Sequence, residues 1–260
     1  MTAAVDIRGV EKRYVGRGRE TLALERVSLQ VADGELVAFV GPSGCGKSTL
    51  LNMVAGIIAP SSGAIIHEGQ PVSGINRRVG YLTQVDSVLP WRTVERNVGL
   101  PLEYRGVPAG ERQARIERML TLVNLKGFEK AFPKELSGGM RKRVALAQIL
   151  VYEPKTLLMD EPFGALDAQL KLVMQDQLLK LWQTQRKTIV FVTHDLAEAV
   201  AVASRVMVFT GRPGRIKHVE TIDIPYPRDV FKVRFLPAFE RAYENLWQEL
   251  RPEIERGEDL

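Results

Sequence analysis

One stretch confines this chain to a narrow set of architectures: GPSGCGKST at residues 41–49, framed by an apolar run before it and a helical pattern after it. Glu35-Leu36-Val37-Ala38-Phe39-Val40 reads as a short buried strand that stops at glycine. Lys47, Ser48 and Thr49 then open a helix carried by Leu50, Leu51, Val54 and Ala55. Gly41, Gly44 and Gly46 let the backbone turn tightly and aim its amides at one point, with Pro42, Ser43 and Cys45 completing the loop. The pattern G-x-x-x-x-G-K-[ST] between strand and helix is a phosphate cradle. The helix N-terminus adds unpaired N–H groups and a partial positive charge. In such a cradle Lys47 is expected at the β- and γ-phosphates of a nucleotide, and the Ser48 hydroxyl on Mg²⁺. The bland alternative, a glycine-rich turn that binds nothing, does not account for the flanking strand and helix.

A second element must meet the first. Thr156-Leu157-Leu158-Met159 is another buried-strand run, and it ends in Asp160-Glu161-Pro162. An acid at the C-terminal end of a strand in an α/β sheet faces the crevice where ligands sit. Asp160 is expected as an outer-sphere or water-mediated partner of Mg²⁺, and Glu161 as the base for an attacking water. Strand ends are often polar, so the alternative is an acidic end that merely starts a turn at Pro162.

Upstream of these carboxylates lies Leu136-Ser137-Gly138-Gly139-Met140. Ser137 is a good N-cap, the two glycines permit close backbone approach to an anion, and Arg141 to Tyr152 continues as an amphipathic helix. This segment resembles the LSGGQ signature of the ATP-binding cassette ATPases, and the resemblance covers nearly the whole chain. Met140 departs from the commoner glutamine but spares the serine and both glycines. The resemblance implies an α/β fold: a P-loop, RecA-like core with an antiparallel β N-terminal part and an inserted α-helical subdomain. It also implies that the turn 137–140 faces the ATP held by a second subunit, so that two chains sandwich two ATP molecules with Mg²⁺.

Other positions follow in the family's order. Gln84, after Val79-Gly80-Tyr81-Leu82, resembles the glutamine that senses Mg²⁺ and the attacking water. Ala165, Leu166 and Asp167 resemble the loop that crosses the dimer interface. His194, after the apolar run 188–193, resembles the switch histidine at the γ-phosphate. Tyr14 resembles the aromatic that stacks on adenine. In isolation each has an ordinary alternative, a satisfied polar strand end or a core tyrosine. Their common order around the cradle is what selects ATP hydrolysis.

The motifs divide the chain into a discontinuous ATP-binding core at 1–85 and 155–225, a helical signature subdomain at 86–154 and a C-terminal helical extension at 226–260. Within these, helices are expected over part of Val94 to Leu102, and over Ala109 to Leu125, Arg141 to Tyr152 and Ala238 to Arg251. The basic run Arg141-Lys142-Arg143 is expected beside the phosphate-facing turn. Arg112, Arg115 and Arg118 alternate with Glu111 and Glu117 as a solvated face. Net charge is +5, but 36 basic and 31 acidic residues are mixed along the chain and the C-terminus is acidic, so nucleic acid is not an expected partner. No run reaches the 18 or so apolar residues of a membrane span, and no secretory signal opens the chain. Cys45 is the one cysteine, which excludes internal disulfides. It reads as a small residue that fits its loop, with a thiol made reactive by Lys47 as the alternative.

The segment 84–98, with its LPW-x-TV-x-x-NV core, and the later PFGALDA and PYPR, resembles the nitrate, sulfonate and taurine importers. That resemblance implies peripheral attachment at the cytoplasmic face of the cell membrane, through permease subunits served by a solute-binding protein. Trp91 and Leu89 read either as an apolar anchor for such a partner or as local core of the helices. An exporter's ATPase and a soluble non-transport assembly are the rival readings.

Overall fold

The computed structural model describes residues 3–16, 19–84, 87–164 and 166–258. Val85 and Asp86 of the importer-like segment, and Ala165 of the interface loop, lie outside them.

In chain order, β1 (Ala3–Gly16) and β2 (Arg19–Ala32) pair antiparallel, β3 (Leu36–Val40) leads towards α1 (Lys47–Val54), and β4 (Ser62–His67), β5 (Gln70–Pro71) and β6 (Val79–Leu82) follow. The helices α2 (Val94–Tyr104), α3 (Ala109–Leu122) and α4 (Gly138–Leu150) come next. Then β7 (Thr156–Asp160), α5 (Ala168–Gln185), β8 (Thr188–Val192), α6 (Leu196–Val202) and β9 (Arg205–Phe209) alternate, before β10 (Ile216–Thr221) and α7 (Pro237–Glu258).

The strands form two sheets. An antiparallel sheet has the order β2-β1-β4-β5, and the larger sheet has the order β10-β9-β3-β8-β7-β6. In the larger sheet β9, β3, β8, β7 and β6 run parallel, and β10 is an antiparallel edge. Strands β3, β7 and β8 are apolar at nearly every position and buried throughout, as parallel strands covered on both faces must be. Alternate residues serve opposite faces. Leu36, Ala38 and Val40 join one core with α4 to α7, while Val37 and Phe39 join another with α1 and the antiparallel sheet.

Helices α2, α3 and α4 carry a core of their own. Val94, Val98 and Leu102 recur every fourth residue on α2 and meet Ile116 and Leu120 of α3 and Val144 and Ala147 of α4. The three helices leave the sheet after β6 and return into β7, its hydrogen-bonded neighbour (Val79 pairs with Thr156).

Several helix ends differ from the expectation, each for a local reason. The α3 pattern stops at Leu122, not Leu125, because Asn124 takes a left-handed conformation (φ 55°) and the Leu125 N–H closes back on the Leu120 carbonyl at 2.8 Å. That is a Schellman-type stop, which asparagine tolerates. Helix α4 starts at Gly138, three residues before the expected Arg141, because Ser137 caps it: its side chain accepts the Met140 N–H at 3.2 Å. Helix α7 continues through Pro252 to Glu258, beyond Arg251, with Leu250 buried and Ile254 packed on the core.

Candidate active site

The sheet order assembles the site. In the parallel sheet β3, β8, β7 and β6 are consecutive, so their C-terminal ends lie side by side. Those ends carry the cradle 41–49, His194, Asp160-Glu161 and Gln84 respectively. Segments separated by more than a hundred residues in the chain become neighbours because parallel strands need crossovers and all point the same way.

Glu161 is at the centre. Its Oε2 accepts from Gln84 Nε2 at 3.3 Å and its Oε1 lies 3.5 Å from His194 Nδ1. Its backbone is left-handed (φ 49°), an unfavourable conformation for a non-glycine residue, and it is held by the Glu161 N–H bond to the Val192 carbonyl at 3.0 Å. The twist turns the chain away from β7 directly after Asp160 and separates the two carboxylates. Glu161 faces a cleft of about 450 Å³ whose other walls include Tyr14, Ser43, Gly44, Gly46, Lys47, Ser48, Thr49 and His194. Asp160 is buried behind it at 4% exposure.

The cradle's own geometry explains its glycines. A Cβ on Gly41 would meet Phe209 at 2.9 Å, and one on Gly46 would meet Leu24 at 2.7 Å. Lys47 Nζ donates to the Gly41 and Pro42 carbonyls, each at 2.8 Å, which holds the lysine folded over its own loop. Tyr14 is partly exposed on β1, with its hydroxyl 3.5 Å from the Thr49 hydroxyl and Lys12 over its ring. Cys45 is buried, with its Sγ 3.5 Å from Lys47 Nζ. The thiol packs within the loop.

Asp160 is the residue suited to a cation. The Ser48 hydroxyl favours the charged form of its carboxylate, while buried Oδ1 has no hydrogen-bond partner. Burial is the main reason its carboxyl is held above the usual carboxylate range, with the Ser48 hydroxyl opposing and the Glu161 charge assisting. A buried anionic oxygen left unpaired beside a hydroxyl fits a hard divalent ion such as Mg²⁺, which takes few protein ligands and completes its shell with phosphate oxygens and water. Among the described residues no cluster of three or more His, Cys, Asp or Glu side chains offers an all-protein metal site.

This arrangement makes a stability prediction. Because the folded carboxyl titrates above its unfolded counterpart, the unfolded chain binds fewer protons, and stability falls as pH rises through the carboxylate range. The penalty is complete once pH exceeds the raised value. Asp160→Asn should therefore raise the unfolding midpoint at pH 7 to 8 (~2–4 °C per kcal/mol removed), with the gain vanishing below the ordinary carboxylate range. Calorimetry of the two proteins across pH measures this; an Asn variant of lower midpoint at neutral pH would contradict it.

The residues 137–140 do not line this cleft within the chain. Ser137 is exposed at the start of α4. Gly139 has a packing reason of its own, since a Cβ there would come within 2.5 Å of Leu170 on α5. Leu166 is buried in the main core, and Asp167 caps α5 by accepting from Gln169 and Leu170 N–H groups at 3.1 and 3.0 Å. The basic run follows the 137–140 turn on α4, as expected, and it ties loops together. Arg141 donates to the Leu136 carbonyl, buried Lys142 to the Gln84 carbonyl at 2.7 Å, and Arg143 to the Val123 and Asn124 carbonyls. The 111–118 face is solvated as expected, with Arg115 paired to Glu111.

Three features escaped the sequence reading. Lys142 joins α4 to the Gln84 loop. Behind His194, buried Glu198 accepts from the Thr193 hydroxyl at 2.6 Å and pairs with Lys171 of α5 at 3.0 Å, linking that helix to the end of β8. Arg212 lines the cleft although it follows β9. Gly211-Arg212-Pro213-Gly214 signals a turn in the sequence, but nothing in it points to the cleft.

Known proteins resemble this chain over most of its length. The family model described as ABC transporter matches residues 24–164. An uncharacterised ABC transporter ATP-binding protein of Methanocaldococcus jannaschii is 43% identical over 91% of this chain and 88% of its own length. The aliphatic sulfonates import ATP-binding protein of Bacillus subtilis is 38% identical over 99% of this chain and 96% of its own. Among solved structures, a dimeric post-hydrolysis state of an ATP-binding cassette bound to ADP and Pi is 30% identical, with a TM-score of 0.78 over 85% of this chain and all of that one. The family match spans more than half of the chain and these relatives align with it along most of their length, so the chain belongs to the ABC transporter ATPases, whose cassettes bind ATP and form dimers.

Proposed function

We propose that this chain is the ATP-hydrolysing subunit of a membrane importer for an aliphatic sulfonate or a similar small anion. In this reading 1–85 and 155–225 are its ATP-binding core, 86–154 its helical signature subdomain and 226–260 a C-terminal extension. The observation that carries the hydrolytic part is the position of Glu161 between Gln84 and His194 at the mouth of the Lys47 cradle. Tyr14 stacks on the adenine, the amides of 41–49 and Lys47 bind the phosphate chain, and Glu161 takes the proton of the attacking water. Gln84 orients that water, and His194 holds the carboxylate's other oxygen and the γ-phosphate. Ser48 and Asp160, with Gln84 as sensor, would hold Mg²⁺, which when bound would supply charge neutralisation at the phosphates. Residues 137–140 and 165–167 serve the second subunit's nucleotide across the dimer.

Import is supported by the 38% identity to the sulfonate import protein and by the loop after β6. Gln84 at one end of this loop touches Glu161, while Ser87 lines an apolar groove of about 810 Å³ walled by Ile57, Ile75, Tyr81, Tyr104 and Tyr152. Trp91, further along, is 71% exposed, so it is not core of the helices. Leu89 is half-buried, and the loop is clasped by buried Asn97, which accepts from the Leu89 N–H and donates to the carbonyls of Leu89, Arg92 and Thr93. A turn at 89–93 tied down by Asn97, with a projecting tryptophan, suits a short helix of a permease, attached at the cytoplasmic face of the membrane, to which a solute-binding protein delivers the anion. No described helix is itself long and apolar enough to cross a membrane.

Trp91→Ala should leave the ATPase of the isolated subunit within a few fold. It should nevertheless weaken co-purification with the permease and abolish sulfonate uptake, since a buried aromatic anchor contributes about 2 kcal/mol or more to an interface. Normal assembly and uptake by that variant would overturn the docking role.

A further inference from the structure

We propose that Arg212 is a nucleotide-binding residue of the ATP cleft, held against the phosphate cradle by the C-terminal helix through Glu253. The proposal rests on the reading of the cleft as the ATP site. Among the described residues that line the cleft, the Lys and Arg side chains are Lys47 and Arg212. Both are folded onto the cradle in the same manner: Lys47 Nζ donates to the Gly41 and Pro42 carbonyls, and Arg212 Nη2 donates to the Gly44 carbonyl at 3.1 Å. A guanidinium that lines the same cleft as Ser43 and Thr49 carries N–H donors beyond the one on Gly44, in a planar fork suited to phosphate oxygens.

The turn that carries Arg212 is not a loose loop beside the site. Gly214 packs on the cradle so closely that a Cβ there would fall 2.0 Å from the Cys45 carbonyl oxygen. The Gly214 N–H donates to the Ala23 carbonyl at 2.9 Å, and its own carbonyl accepts from Glu25 at 3.0 Å. The Thr210 hydroxyl bridges the turn by bonding the Gly211 and Pro213 carbonyls. From the other side the Gly211 N–H donates to Oε2 of Glu253 at 3.0 Å. Glu253 is buried on α7 at 5% exposure, with Lys217 Nζ 3.3 Å from its Oε1. The carboxylate is thus anchored, and through one backbone bond it sets where Arg212 stands over Gly44. Arg212 contacts the ligand in this scheme; Glu253 is a positioning residue.

The test is titration of the full chain with MgADP and with MgATP, read by calorimetry, alongside steady-state hydrolysis. Arg212→Ala should weaken both nucleotides about tenfold, the worth of a charged hydrogen bond. It should raise KM by a similar factor while kcat changes less than threefold, and Arg212→Lys should recover part of the affinity. Glu253→Gln should raise KM in the same direction by a smaller factor and add nothing to Arg212→Ala in the double variant. Arg212 is exposed, so its variants should unfold within about a degree of the parent, which calorimetry verifies. Affinity within twofold of the parent for Arg212→Ala, while Lys47→Ala binds weakly, would overturn the arginine's role and leave the cleft assignment standing. Unchanged affinity in Lys47→Ala as well would overturn both. A further loss on adding Glu253→Gln to Arg212→Ala would overturn the positioning link.

Discussion

Glu161→Gln should slow ATP hydrolysis by ~10²–10⁴-fold, the usual worth of a positioned general base, while leaving nucleotide affinity near that of the parent. Glutamine keeps the shape of the side chain and an oxygen for the Gln84 amide, at 3.3 Å in the parent, but it cannot accept a proton from water. The unusual backbone at Glu161 is kept, since the substitution leaves φ 49° no more strained than before. With cleavage blocked, the closed dimer should accumulate. Size exclusion in Mg-ATP should show the variant eluting as a dimer and the parent largely as a monomer. A Glu161→Gln protein that binds ATP yet stays monomeric would count against closure on ATP, and one that hydrolyses at the parental rate would remove Glu161 from the chemistry.

The second large effect tests whether the 137–140 turn acts across the dimer. No residue of that turn lines the cleft of its own chain, although Ser137 is exposed and caps a helix whose first turn is glycine. Ser137→Arg fills the approach to that helix end, and Lys47→Ala removes a cation from the cradle. Either homodimer should lose nearly all hydrolysis. In a mixed dimer both lesions fall on one composite site and the other is intact, so the mixture should recover activity well above either parent variant. Inactivity of the mixture equal to that of the homodimers, with heterodimers verified by differential tags, would overturn independent action in trans.

What the amino-acid sequence reveals differs from residue to residue. The cradle was legible because its chemistry is local: strand, loop and helix are contiguous, and glycine, lysine and serine act within nine positions. The strands β3, β7 and β8 were legible because complete burial demands unbroken apolar runs. Trp91 was left between anchor and core because an exposed and a buried tryptophan look alike in a sequence; only the packing of its neighbours around Asn97 leaves it outside. The basic run 141–143 shows its charge and its place beside the 137–140 turn in the sequence but not its partners, which in the fold are the carbonyls of Leu136, Gln84, Val123 and Asn124.

Local order along the chain therefore settled the family, the cradle and the identity of most candidate groups, since each of those depends on residues a few positions apart. Tertiary structure alone decided which of them meet. Adjacent parallel strands brought Gln84, Glu161 and His194 to one point, and a turn after β9 brought Arg212 to a loop 168 positions earlier. The reason is physical: hydrogen bonding between strands and packing of side chains are blind to separation along the chain, whereas propensity and spacing see only neighbours.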